Sequence, residues 1–82
     1  MSVVPSTDSH GLSAGDAKLV YMVNQIATFF ASQPHESAVS GIESHIRKFW
    51  DPRMRRKIRD FILAGGTGVD PLAREALDRL AD

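Results

Sequence analysis

The sequence predicts an all-α fold, a small bundle of about four short helices preceded by a flexible N-terminal tail. Three observations predict it. Apolar residues recur at helical spacing from Leu19 onward, no stretch alternates with the period of two that marks a strand, and two Asp-Pro pairs stand where helices should start. With 82 residues and no cysteine, the chain has one domain at most and neither a disulfide nor a thiolate metal site to staple it. Helix packing, or a partner, must supply the stability.

Residues 1–15 are rich in Ser, Gly and Pro without hydrophobic period and read as the tail, leaving 16–82 as the helical domain. Leu19, Met22, Val23, Ile26, Phe29 and Phe30 mark a first helix over about 17–31, with Asp16 placed to cap it. Ser32-Gln33-Pro34-His35 breaks that helix. Ala38, Val39, Ile42, Ile46 and Phe49 form one face of a second over about 36–49, where Gly41 weakens the helix by about 1 kcal/mol but leaves room for a neighbour to approach. Asp51-Pro52 starts a third helix, 52–64, with Met54, Ile58, Phe61 and Ile62 as its stripe; Gly65-Gly66-Thr67-Gly68 stops it. Asp70-Pro71 opens a fourth over 71–80, carrying Leu72, Ala73, Ala76, Leu77 and Leu80. The predicted core is Leu19, Met22, Ile26, Phe29, Ile42, Ile46, Ile58, Phe61, Leu72 and Leu77.

Little here suggests chemistry. His10, His35 and His45 include no i, i+4 pair for a helical zinc site, and the acidic residues are scattered singly. The glycine run lacks the preceding strand and the following Lys-Ser/Thr of a phosphate loop, so it reads as a helix stop. The longest apolar stretch, Ile26 to Ala31, is far short of the roughly 20 residues that cross a bilayer, and no signal-like start is visible; a cytoplasmic location without membrane contact is expected.

Charge is distributed more tellingly than its zero total implies. Residues 47–59 carry seven basic side chains against the single acid Asp51, a net +6 that the rest of the chain cancels. A solvated face paired with the molecule's own acids is one reading, and a docking patch for an acidic surface is the other. Arg53, Arg55 and Arg56 lie in or next to the first turn of the third helix, where the helix dipole disfavours cations by about 0.3–1 kcal/mol each. Folding alone gives no reason for them. The predicted partner-binding residues are therefore Phe49, Trp50, Arg53, Arg55 and Arg56, with Trp50 open equally to a core or an interface role. On this reading, replacing Arg55 and Arg56 together by Glu leaves stability equal or slightly higher. A small nucleic-acid-binding domain is the competing use of a basic third helix, and the neutral overall balance argues against it.

The strings Met22-Val23-Asn24-Gln25-Ile26-Ala27 with Phe29-Phe30, Gly41-Ile42 with His45-Ile46, Phe49-Trp50-Asp51-Pro52-Arg53-Met54-Arg55, and Gly65-Gly66 before Asp70-Pro71-Leu72 carry a resemblance. From about residue 17 to 80 the chain resembles the delta subunit of NAD-dependent formate dehydrogenases, the Phe-Trp-Asp-Pro-Arg-Met-Arg string being the specific part. The resemblance implies an accessory, non-catalytic subunit that docks on the catalytic alpha subunit, with beta and gamma, to stabilise or mature the complex. A transient chaperone for the molybdenum cofactor is the alternative. It also implies that the parent complex, and not this chain, carries a molybdenum (or tungsten) bis-pterin guanine dinucleotide, iron–sulfur clusters, FMN and the NAD site.

Overall fold

The computed structural model describes residues 14–80, and these form four helices with no strand among them. They are α1 (Ala14–Phe30), α2 (His35–Phe49), α3 (Pro52–Leu63) and α4 (Pro71–Arg79). Every boundary falls within three residues of its expectation. The largest difference is at the start of α1, where Ala14 and Gly15 are already helical. Asp16 consequently sits inside the first turn and does not cap it. There it still faces the positive end of the helix dipole, and it pairs with Lys57 of α3 at 3.6 Å. The rest of the expected tail, residues 1–13, lies outside the described residues.

Both Asp-Pro starts work as the chemistry requires. Asp51 Oδ1 accepts from the Met54 backbone N–H at 2.9 Å, and Asp70 Oδ1 accepts from Leu72 N–H at 2.8 Å, while each following proline occupies a position whose N–H would have no partner. The glycine stop is a Schellman turn: Gly66 N–H donates to Phe61 O at 2.9 Å and Gly65 N–H to Ile62 O at 3.0 Å. Gly65 has φ +92°, a conformation that a side chain would strain.

Side chains then decide how the helices stack. The buried core joins Leu19, Val23 and Ala27 of α1 to Val39, Ile42 and Ile46 of α2, Ile58 of α3, and Ala73, Ala76 and Leu77 of α4, closed by Trp50 and Leu80. Alanines at the helix contacts let α2 and α4 lie close, and this pair is the most extensive interface; α1 spans the bundle and touches the other three helices. Gly41 has the role expected of it. A Cβ there would stand 2.6 Å from Phe30 Cδ1, so the missing side chain is what admits the Phe30 ring between α1 and α2.

The core differs from expectation in one part. Leu19, Ile42, Ile46, Ile58 and Leu77 are buried as predicted, Met22, Ile26, Phe61 and Leu72 are only partly buried, and Phe29 is 74% exposed. At 100° per residue Phe29 points about 120° away from the mean direction of Leu19, Val23 and Ala27. Its place toward α2 is taken by Phe30, which meets it edge-on with ring centroids 5.1 Å apart. No helix among the described residues is long and apolar enough to cross a membrane.

Candidate functional site

A shallow groove runs beside α1. Its central part, about 480 Å³, is lined by Tyr21, Met22 and Ile26 of α1, His45 and Phe49 of α2, Trp50, and Met54 of α3. Toward the end of α1 it continues into a second part of about 450 Å³ between Phe29, Phe30 and His45. Toward the start of α1 it continues into a third of about 350 Å³, where Leu19, Met22 and Met54 form the floor and Lys18, Arg53 and Lys57 the walls. Shared residues join the three parts into one surface. Tyr21 is 65% exposed, Phe29 74% and Phe49 67%, so three aromatic rings stand along one face with only a neighbouring ring or side chain for cover. The Phe49 ring leans on His45 with centroids 4.8 Å apart.

The residues predicted to bind a partner divide into two kinds. Phe49, Arg53 and Arg56 present their side chains to solvent, Phe49 and Arg53 within the groove. Trp50, open between core and interface, is buried: it is 4% exposed, while still lining the central part of the groove. Arg55 is half-buried, and its Nη1 donates to the Trp50 carbonyl at 2.8 Å, tying the end of α2 to the start of α3. This bond weighs against the expectation that Arg55→Glu with Arg56→Glu leaves stability equal or slightly higher. Loss of that charge-assisted bond costs about 1 kcal/mol, which offsets the dipole gain.

Electrostatics separates the two readings of the basic cluster. Arg47 is paired with Glu43 at 2.9 Å, one turn away, and Lys57 with Asp16. Lys48, Arg53, Arg55, Arg56 and Arg59 have no carboxylate partner among the described residues. Self-pairing therefore accounts for only a small part of the cluster. Two acids are engaged elsewhere: Glu36 receives a two-pronged contact from Arg79 at 2.6 and 2.9 Å, and Glu75 accepts from His35 at 2.8 Å. The Arg79 guanidinium, by hydrogen bond and then by charge, lowers the Glu36 pKa below the usual carboxylate value.

Asn24 is a residue that periodicity did not single out. Its Nδ2 donates to Gly68 O and its Oδ1 accepts from Asp70 N–H, both at 2.8 Å, so one amide holds the α3–α4 connection against α1. Its sequence signal was the polar Asn-Gln pair inside an apolar helix face. Among the described residues no group of three His, Cys, Asp or Glu is placed to hold a metal ion.

No curated protein and no solved structure matches this chain. A family model does, over residues 18–77, which takes in all but the first turn of α1 and the end of α4. The match spans every residue of the groove except Gly15, together with the basic α3 and the Asn24 tie. The chain belongs to the family of the NADH-dependent formate dehydrogenase delta subunit, FdsD.

Proposed function

We propose that this chain is the non-catalytic delta subunit of a cytoplasmic formate dehydrogenase complex and docks on the catalytic subunits to stabilise or mature them. The observation that carries the reading is the cluster of cations without carboxylate partners among the described residues, beside exposed aromatics, in a chain of this family. Arg53 and Arg56 give it positive charge free for an acidic surface, and Phe49 gives it an apolar anchor. Rings and guanidinium groups side by side dominate the affinity of many protein interfaces.

The cofactors belong to the large subunits on this proposal: molybdenum or tungsten bis-pterin guanine dinucleotide, iron–sulfur clusters, FMN and the NAD site. The donor chemistry of this chain agrees, because iron–sulfur clusters are held by cysteine thiolates and the sequence has none. Its own residues bind and orient protein surface. A maturation chaperone that leaves the finished enzyme is the second reading, favoured by Arg53 and Arg56, whose free guanidinium groups also suit phosphate.

Co-expression with tagged alpha, beta and gamma subunits tests this. The delta subunit is expected to co-purify in fixed ratio with active enzyme, and changing Arg53 and Arg56 together to Glu should weaken association and flatten its salt dependence. Absence from the complex in gentle buffer would overturn the docking; recovery only with cofactor-free alpha subunit would favour the chaperone.

A further inference from the structure

The groove beside α1 has unlike ends. Lys18 and Arg53 flank one end without a carboxylate partner among the described residues, next to a Lys57 held by Asp16. Phe29 and Phe30 form the other end, and among the described residues no carboxylate lines any of the three parts. Its length follows α1, whose 17 residues at 1.5 Å each extend about 25 Å. Met22 and Met54, the methionines of the described residues, meet where the central part joins the cationic end. Unbranched thioether side chains of this kind adapt to an incoming surface, and grooves between helices are common seats for a helix with one apolar face.

We infer that the groove holds a single amphipathic helix of a large formate dehydrogenase subunit, with apolar anchors between Phe29 and Phe49 and carboxylates at the Lys18–Arg53 end. This rests on the docking reading. Charge complementarity selects the occupant. A second copy of this chain presents the same groove, whose described lining holds no carboxylate, so a face-to-face pair leaves both cationic ends unmet. An acid-flanked helix satisfies Arg53 and Lys18 while covering the three exposed rings, which neither a purely acidic surface nor a purely apolar one does. The carboxylates fix the direction in which that helix lies, since reversing it sets acids against Phe29 and leaves the cations buried unpaired.

The test places benzoylphenylalanine, one position at a time, at Phe29, Phe49 and Arg53 of the full chain co-expressed with the large subunits. After irradiation of the purified complex, the three positions should cross-link to one continuous helical segment of one subunit, with Asp or Glu at the Arg53 end. Changing Phe29 and Phe49 together to Asp should weaken association about thirtyfold or more while the circular dichroism spectrum stays helical. Should that variant lose its helical spectrum, the cross-links alone decide. Cross-links to a second copy, to residues 1–13 of the same chain, or to scattered segments overturn the inference. So does unweakened association of the folded Asp variant, and in that case the delta-subunit docking itself stands. A wild-type chain that fails to co-purify overturns both.

Discussion

The α2–α4 pair and the groove beside α1 are built from the same residue types to opposite ends. Where α2 meets α4, Ala38, Ile42, Ala73, Ala76 and Leu77 are all essentially buried, and the charges at the rim are matched, Arg79 to Glu36 and Glu75, His35 to Glu75. Beside the groove, the only buried side chain that α3 supplies is Ile58, three aromatic rings face solvent, and most cations have no carboxylate partner among the described residues. Burial and pairing on the first side are what folding selects. Exposed rings and guanidinium groups without a carboxylate on the second add little to folding, which is what the proposed docking surface would account for.

The comparison predicts a graded series of effects on stability. Ile42→Ala, at a fully buried α2 position, should lower stability by about 2–5 kcal/mol, read as a shifted midpoint in urea. Asn24→Ala removes both bonds to the α3–α4 connection and should cost about 1–3 kcal/mol; Asn24→Asp keeps the acceptor for Asp70 N–H but sets a carboxylate against Gly68 O, so it should not restore the loss. Arg55→Ala should cost about 1 kcal/mol through the Trp50 carbonyl. Phe29→Ser, on the groove, should change stability by less than about 0.5 kcal/mol while impairing association with the large subunits. A loss of several kcal/mol from Phe29→Ser would erase the distinction between the two regions.

Acid should act on the α2–α4 side, by a small amount. Arg79 holds the Glu36 pKa below its unfolded value of 4.5, so the pair's stabilisation is fully present above that pH. It is lost as pH falls through the lower folded value, where Glu36 takes up a proton. Glu36 is largely exposed to solvent, and the effect is correspondingly screened. Melting temperatures from pH 7 to pH 2 should fall less steeply for Glu36→Gln than for the wild type, and equal slopes would show that the pair contributes nothing.

Most of the fold was legible in the sequence because its punctuation is chemical. Asp51-Pro52 and Asp70-Pro71 each combine a side-chain acceptor with a residue that lacks an N–H, and Gly65-Gly66 supplies the left-handed turn, so the starts and stops of α3 and α4 are nearly forced. The orientation of α1 was not. Its apolar residues extend around most of its circumference, from Val20 through Tyr21 and Met22 to Phe29 and Phe30, so periodicity alone does not choose the face that turns inward. Close packing chose it: the line Leu19, Val23, Ala27 ends in a small residue that lets α1 lie against its neighbours, whereas Phe29 inward would hold them apart. The exposed rings follow from that choice, and this is why the groove was not visible beforehand while the basic cluster was. The burial of Trp50 and the Arg55 bond were not legible for a related reason, since both depend on the tight two-residue turn between α2 and α3.

Hydroxyl-radical footprinting of the free chain and of the purified complex tests the central claim most directly, because it reads both regions at once. Leu63, 79% exposed at the end of α3 and outside the groove, is the internal control. The account predicts that Tyr21, Phe29 and Phe49 become protected in the complex while Leu63 stays reactive. Protection of Leu63 with the three groove rings still reactive would contradict it.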